Sequence, residues 1–479
     1  MPLLKQPTGT IVLPKRTAHL VPETDVLVVG GGPSGIAAAI AAADAGANVV
    51  LAERYGFLGG NATAGLVLTW ASYHTSLSQP VETLPKSSDE FTIFPTDHGT
   101  GRPIIAGVLA KIVKRLVALG GAFAPSRRTG YMVPFDPELF KLVALEMLDE
   151  AGVDLLFHAF ASGVINENGL RGVIFETKSG PLVIKAKVII DCTGDGDIAV
   201  FAGAPFEVGR LEDNSVQPMT LMFLLEGFER SKFQDYVEKH PRQWNGVEGL
   251  NDLMRDAIEK GELQVPRENI LFFGSVHESQ ISVNSTRITN VYGVDVWDLT
   301  CAEIEGRRQV AQLTTFFRKY VPGFERAYVA QTGTNVSVRE TRRIMGEYKL
   351  TAEDVLNAHK FADVIALGSY PIDVHNPLGR GTFLKKIKAG SAYDIPLRCL
   401  IPLKIDNLLV AGRCISGTHI ANASYRTMPI CFATGQAAGV CAAIATKNKL
   451  QPRKTPASMV QRELLRQGAI LKIKQNRLA

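Results

Sequence analysis

The sequence predicts an α/β fold with a parallel β-sheet, and two observations carry this prediction. Short apolar runs rich in β-branched residues, typical of buried parallel strands, occur at 25–29, 48–52, 183–190 and 407–410. Alanine-rich stretches of helical length follow the first and the last of these runs. Strands that alternate with helices in this way are typical of a parallel sheet covered by helices.

The first strand and helix carry a glycine-rich turn between them. Residues 25–29 lead directly into Gly30, Gly32, Pro33, Ser34 and Gly35, and the helix predicted over 36–45 ends at Gly46. Glycines at this spacing permit a tight turn, a close approach of the backbone to a pyrophosphate, and close packing of the helix on the strand. The helix N-terminus adds a partial positive charge, so the unit favours a bound dinucleotide.

A carboxylate follows at the distance that a dinucleotide requires. The second strand, 48–52, ends on Glu53, and 53 − 30 places this acid 23 residues after the first glycine. An acid at this point binds ribose hydroxyls, so the segment predicts a Rossmann-type dinucleotide-binding unit. The alternative is a structural glycine turn.

A second loop of small residues comes soon after the acid and its neighbour Arg54. Gly59, Gly60, Asn61, Ala62 and Thr63 open this loop, which continues to Gly65. With little side-chain bulk, backbone N–H groups can reach a flat or anionic ligand, and a long dinucleotide such as FAD needs this continuation. A flexible surface loop is the alternative interpretation.

Two later strands also end in small or acidic residues. The run 183–190 leads to Gly194 and Asp195, and the run 407–410 leads to Gly412 and Arg413. Open α/β sheets bind ligands at the carboxyl ends of their strands, so we expect both turns beside the dinucleotide. Met428 then begins a long, thin helix whose positive end suits an electron-rich ring.

Composition and charge exclude several classes of protein. The chain of 479 residues has a net charge of +5 that is small and dispersed, which argues against nucleic-acid binding. The six cysteines form no C-x-x-C pair, so we do not expect a structural zinc site. We expect a reduced, cytoplasmic location. No apolar run approaches the ~18 residues of a membrane span, and no secretory signal is evident.

Taken together, these motifs resemble the FAD-dependent oxidoreductases with a glutathione-reductase or fumarate-reductase type flavin fold. The resemblance rests on Val-Gly-Gly-Gly-Pro-Ser-Gly at 29–35, Gly-Gly-Asn-Ala-Thr at 59–63, Arg-Glu-Thr-Arg-Arg at 339–343, Tyr-Pro-Ile-Asp-Val-His at 370–375, Ala-Gly-Arg-Cys-Ile-Ser at 411–416 and Gly-Gln-Ala-Ala-Gly at 435–439. It implies FAD contacts from Gly30, Gly32, Gly35, Glu53, Gly59, Gly60, Asn61, Thr63, Gly194, Gly412 and Arg413. Residues in or near these contacts that we also expect at the cofactor are Pro33, Ser34, Arg54, Ala62, Asp195 and Met428.

The resemblance also implies a domain organisation. We expect an α/β Rossmann-type FAD-binding domain over 20–215 and 395–450, an inserted α+β substrate-binding cap over 216–394, and a C-terminal helix and tail over 451–479. The stretch 59–79 offers His74 but does not match the flavin-linking motif of true fumarate reductases, so non-covalent FAD is expected. It also lacks a second G-x-G-x-x-G, so the electron donor or acceptor stays open.

Two clusters are candidates for the reacting groups. Asp373 and His375 lie two residues apart, so in a strand both side chains would face one side. There Asp373 could orient the His375 imidazole, which would act as the general base. Arg339 and Arg343 lie in an arginine cluster that could hold an anionic substrate group, and His419 is a candidate wall residue. The alternatives are a structural Asp–His pair, a solvated ion-pair cluster and a structural histidine.

These observations predict an FAD-dependent oxidoreductase that transfers a hydride between flavin N5 and a small polar substrate, with a carboxylate as one option. The alternatives are an electron-transfer subunit and a flavin-fold binding protein without redox activity. A homo-oligomer is possible, and no metal site is expected.

Overall fold

The computed structural model describes residues 9–75, 101–126, 132–167 and 169–473. The strands are β1 (His19–Val29), β2 (Val49–Ala52), β3 (Thr69–Trp70), β4 (Val133–Pro134), β5 (Asp154–Leu156), β6 (Phe160–Asn166), β7 (Leu170–Thr177), β8 (Gly180–Asp191), β9 (Phe206–Val208), β10 (Phe223–Glu226), β11 (Trp244–Asn245), β12 (Glu248–Gly249), β13 (Ile270–Gly274), β14 (Ile281–Val283), β15 (Tyr328–Thr332), β16 (Arg342–Ile344), β17 (Val364–Gly368), β18 (Ile372–His375), β19 (Thr382–Lys385), β20 (Tyr393–Pro396) and β21 (Leu408–Val410). The helices are α1 (Pro33–Asp44), α2 (Val108–Ala118), α3 (Pro137–Glu150), α4 (Asp197–Phe201), α5 (Arg230–Lys239), α6 (Asn251–Glu259), α7 (Val296–Tyr320), α8 (Ala352–Leu356), α9 (His419–Tyr425), α10 (Met428–Lys447) and α11 (Ala457–Arg466).

The largest sheet has a parallel core, as the sequence predicts. Its order is β5-β2-β1-β8-β7-β6, and β21 pairs with the second half of β8. The pairs β5–β2, β2–β1, β1–β8 and β8–β21 are parallel, whereas β7 and β6 form an antiparallel extension. In register, Asp191 lies opposite both Val29 and Val410, so the turns after β1, β8 and β21 meet at one edge.

Helices α1 and α10 pack against each other with almost no space between their backbones. A Cβ atom added at Gly435 would lie 2.1 Å from the Ser34 carbonyl oxygen, and one at Gly439 would lie 2.1 Å from that of Ala38. Small residues on α10 are therefore required by helix packing. In the described chain α10 is the one helix long and apolar enough to cross a membrane by length and composition, but 89% of that window is buried inside the protein.

A second sheet is antiparallel and has its own core. Its order is β11-β12-β13-β14-β10-β15, and the long helix α7 packs with it. The buried apolar residues of this core run from Met219 to Val338 and include a cluster of phenylalanine rings. Buried residues from Ile344 to Ile395 instead join the core of the parallel sheet. We therefore propose that the cap ends near residue 338, earlier than the predicted 394.

The C-terminal region contains the predicted helix, α11. Val460 and Leu464, four residues apart on α11, are buried in the main core. The end of the predicted tail, 474–479, lies outside the described residues.

Candidate active site

A groove of about 270 Å³ lies at the edge where the three strand-end turns meet. Most of the predicted FAD-contacting residues line it: Gly30, Gly32, Pro33, Ser34, Glu53, Arg54, Gly60, Asn61, Gly194, Asp195, Gly412, Arg413 and Met428. The lining does not include Gly35, Gly59, Ala62 and Thr63. The Thr63 hydroxyl donates to the Leu58 carbonyl at 2.7 Å, so it holds the loop instead of facing the groove.

The glycine turn has the shape that a bound pyrophosphate requires. Gly30 has φ +100°, and a Cβ atom there would lie 2.5 Å from the Cys192 carbonyl oxygen. Helix α1 begins at Pro33, and its N-cap, Gly32, provides no side chain to satisfy the first N–H groups. Gly32, Pro33 and Ser34 line the groove, so the N-terminus of α1 adjoins it, which suits an anionic phosphate.

Glu53 is held in place at the same groove. Its carboxylate accepts hydrogen bonds from the backbone N–H of Gly31 at 2.5 Å and of Tyr55 at 2.9 Å. Burial raises the pKa of Glu53, and the two N–H donors oppose that rise. Each carboxylate oxygen retains a lone pair for a ribose hydroxyl.

Arg413 is fixed by Asp195 and reaches both the groove and a second cavity. Its Nη2 lies 2.5 Å from Asp195 Oδ1, which also accepts a hydrogen bond from Thr341. The buried Nε of Arg413 has no partner among the described residues. A donor left unpaired in this position fits a polar cofactor edge that would accept its hydrogen bond.

The second cavity, of about 520 Å³, adjoins the groove. Both are lined by Asn61, Val338, Arg413, Arg426 and Met428. A ligand in the cavity would therefore meet a cofactor in the groove at this common wall.

Besides Arg413, four arginines line the second cavity: Arg267, Arg287, Arg339 and Arg426. Burial is the largest cause that lowers the pKa of Arg339 to about 9 and that of Arg267 to about 10, and neighbouring guanidiniums add to both effects. Arg339 donates to the Pro218 carbonyl at 2.6 Å, and Arg426 Nε is buried without a partner in the described chain. The acids in the described lining are Glu248, Glu268 and Asp373, so arginines outnumber acids and the cavity carries a net positive charge.

Asp373 and His375 lie on β18 and face this cavity together. His375 Nε2 is 3.4 Å from Asp373 Oδ2, while Nδ1 is 3.2 Å from Arg287 Nη2 and 3.3 Å from Thr382 Oγ1. Because a guanidinium only donates, Nδ1 is the acceptor and the proton is assigned to Nε2. Burial lowers the pKa of His375 to about 3. Burial opposes ionisation of Asp373, but His375, Arg426 and Arg339 outweigh it and hold the Asp373 pKa low.

The structure places Arg343 and His419 in a buried ion-pair cluster outside both cavities. Arg343 pairs with Glu340 and donates to the Gly417 and Gly209 carbonyls, at 3.0 Å and 2.8 Å. His419 Nδ1 lies 2.8 Å from the same Glu340 carboxylate. Their hydrogen bonds are made inside the protein, so this placement disfavours the predicted roles in substrate binding, and we leave both residues out of the site proposed below. The cluster is buried, unlike the solvated one considered from sequence.

A family model described as FAD dependent oxidoreductase matches residues 25–464. The chain belongs to this family. Membership identifies FAD as the cofactor and oxidoreduction as the class of reaction. The glycine cradle, the uncapped helix and the unpaired donor of Arg413 fit this cofactor.

Similarity to individual proteins is limited. A urocanate reductase of Eggerthella lenta is 49% identical over 49 residues, which span 10% of this chain and 8% of that protein. A geranylgeranyl bacteriochlorophyll reductase-like protein from Thermoplasma acidophilum is 14% identical, with a TM-score of 0.44, covering 95% of this chain and 85% of its own. The p-nitrophenol 4-monooxygenase of Pseudomonas putida is 13% identical, with a TM-score of 0.43, covering 94% and 87%.

Sequence reasoning missed Arg267 and Arg287. Both lie in the cap sheet region, 52 to 72 residues before Arg339 (339 − 287 and 339 − 267). No local motif surrounds them, and only the tertiary fold brings them to the cavity.

Proposed function

We propose that the chain transfers a hydride between FAD and a small anionic substrate, a carboxylate above all, bound in the 520 Å³ cavity. The convergence of Arg267, Arg287, Arg339 and Arg426 on this one cavity carries the proposal. Arginine binds carboxylates through paired N–H donors, which gives both charge and orientation.

The described lining of the cavity has fewer acids than arginines. Glu248 and Glu268 act on Arg267, and Glu268 also acts on Arg287. Asp373 is the acid beside Arg426, but Arg426 Nη2 lies 3.9 Å from its carboxylate, beyond hydrogen-bond distance. Buried like charges are unfavourable in a medium of low dielectric constant. An anionic substrate would relieve this repulsion and would accept the hydrogen bonds that Arg426 Nε leaves unmade.

FAD bound in the groove would supply the group that accepts or donates the hydride. Asn61, Arg413 and Met428 would place the substrate against it, because these residues line both the groove and the cavity. The side chains of the cavity then have to bind and orient the substrate and to accept or donate its proton.

His375 is the residue we propose for the proton. In the resting site Arg287 donates to its Nδ1, so this nitrogen is blocked. A substrate carboxylate that takes the Arg287 donor would release Nδ1, and the neutral imidazole could then accept a proton as the hydride leaves. Asp373 would stabilise the imidazolium that forms.

The proposal is tested by anaerobic mixing of the purified holoenzyme with matched carboxylates and their neutral amides while flavin absorbance is followed. Both oxidisable acids with the oxidised flavin and unsaturated acids with the reduced flavin belong in the panel. We expect carboxylates to react at concentrations about 10- to 100-fold below those of their amides, the range of a lost charge-assisted hydrogen bond.

Arg339→Gln should raise the substrate concentration required by a similar factor without removing the flavin. Arg255→Gln, on the surface of the cap with 65% of its side chain exposed, is the matched control. Equal reactivity of acids and amides, or equal effects of both substitutions, would contradict the proposal.

A further inference from the structure

The hairpin formed by β18 and β19 borders the second cavity, with β18 buried and β19 at the surface. The cavity lining includes Thr382 and Leu384 of β19, while Arg287 binds the Gly379 and Gly381 carbonyls of the connecting turn at 2.8 Å and 3.1 Å. In the described chain β19 pairs with β18 alone, and all four of its residues are exposed.

This hairpin combines exposed apolar side chains with positive charge. Leu378 is 60% exposed, Phe383 57% and Leu384 52%. The twenty residues from 374 to 393 contain no aspartate or glutamate. Their cations, all exposed, are Arg380, Lys385, Lys386 and Lys388.

We propose that this hairpin docks the protein on an anionic lipid surface. Lysine and arginine beside exposed Leu and Phe are the composition of interfacial membrane anchors, in which the cations meet lipid phosphates and the apolar groups enter the headgroup layer. The charge of the outer part of the hairpin is of one sign, because residues 374–393 contain no acid and Asp373 of β18 lines the cavity.

The alternation of β19 separates its cavity side from its outer side. Thr382 and Leu384 line the cavity, so Phe383 and Lys385, which alternate with them, face outward. This outer side places an exposed aromatic ring beside cations, which suits the headgroup layer of anionic lipids. The unpaired backbone edge of β19 remains hydrated there.

Docking in this way would put the cavity mouth at the membrane surface. The Thr382 hydroxyl lies 3.3 Å from His375 Nδ1, so the cavity face of the hairpin belongs to the site while its outer parts contact lipid. The proposal does not depend on which substrate the cavity binds.

The test is co-sedimentation of the full-length holoprotein with vesicles. Phosphatidylcholine vesicles that contain phosphatidylglycerol should bind the protein, phosphatidylcholine alone should not, and salt should weaken the binding. Each cation near an anionic surface is worth about fivefold in affinity. Combined Arg380→Glu, Lys385→Glu and Lys388→Glu should therefore weaken binding by at least about 100-fold.

A matched control separates a local anchor from attraction of the whole chain. Lys178→Glu, Lys239→Glu and Lys449→Glu make the same charge change at exposed sites elsewhere and should cost far less. Phe383→Trp should report insertion as a blue shift of fluorescence with the anionic vesicles, and Leu378→Ser with Phe383→Ser should weaken binding.

Three results would overturn the proposal. The first is absence of binding to the anionic vesicles, and the second is equal loss of binding in the two charge-reversal triples. The third is concentration-dependent dimerisation, abolished by the two serine substitutions and unaffected by lipid, which would assign the hairpin to an interface between copies of the chain. Each can occur while flavin reduction by carboxylates is normal, so failure here is distinct from failure of the proposed function.

Discussion

Replacing His375 with glutamine tests whether the imidazole is neutral in the folded protein, as a proton acceptor must be. Burial lowers the pKa of His375 to about 3, and the charges of Arg339 and Arg426 lower it further while Asp373 raises it. In the unfolded chain a histidine has a pKa of about 6.5. Between these two values the unfolded state binds a proton that the folded state does not, so stability falls as the pH falls.

The change in the free energy of unfolding is set by the pKa of His375 in the unfolded chain, because its pKa in the folded protein lies well below the pH of the assay. From about pH 7.5 to about pH 5.5 this one residue should reduce the free energy of unfolding by about 1.4 kcal/mol. His375→Gln cannot bind the proton and should lose that much less over the same interval. Urea unfolding at the two pH values, followed by tryptophan fluorescence with saturating FAD, measures the difference.

Thr382→Val is the control, because it removes a hydrogen bond to Nδ1 without removing a titrating group. It should keep the wild-type dependence on pH. If instead wild type loses less stability on acidification than His375→Gln, the pair is an imidazolium bound to the Asp373 carboxylate, and the base we propose is already protonated. Identical dependence in all three proteins would also refute the reasoning.

Three further outcomes follow from the structure. Glu53→Ala should weaken FAD binding to the apoprotein by about 10- to 100-fold in a fluorescence titration, since it removes a carboxylate that can bind the ribose. Gly439→Val should lower the free energy of unfolding by about 1–3 kcal/mol or more, because its side chain would collide with the Ala38 carbonyl. Arg343→Gln should lower the free energy of unfolding by about 3–5 kcal/mol in denaturant, because it removes the guanidinium partner of the buried Glu340 and leaves His419 and the Gln217 N–H beside that carboxylate. The KM of this variant should change little.

The parallel sheet and the dinucleotide groove could be predicted from sequence because their signals are local. The turn after β1, the acid after β2 and the glycines after β8 and β21 each follow an apolar strand directly. Parallel pairing then brings those strand ends to one edge without further information. Gly435 and Gly439 also belong to a local pattern, but only the structure shows that they contact helix α1.

The second cavity was harder to predict because adjacent residues with the same chemistry point in different directions. Arg342 and Arg343 alternate along β16, so one pairs with Asp197 and the other with Glu340. Arg339, outside that strand, reaches the cavity. Spacing identifies a cluster of cations, but the direction of each side chain depends on strand pairing that the sequence does not reveal.

The positive charge at the common wall leads to a final prediction, for the reduction potential of the bound FAD. Helix α10 begins at Met428, and its N-cap, Thr427, makes no side-chain hydrogen bond to its first N–H groups. Met428 and Arg426 both line the common wall, so the positive end of the helix lies there beside the guanidinium. Positive potential there stabilises added electrons, and a screened interaction of about 1 kcal/mol corresponds to about 20 mV for a two-electron couple. Arg426→Gln should therefore lower the potential by on the order of 20 mV when measured by equilibration with a reference dye. A potential that stays constant or rises would show that the guanidinium is too far from the flavin, or too well screened, to act on it, and the role of Arg426 would then be limited to the substrate.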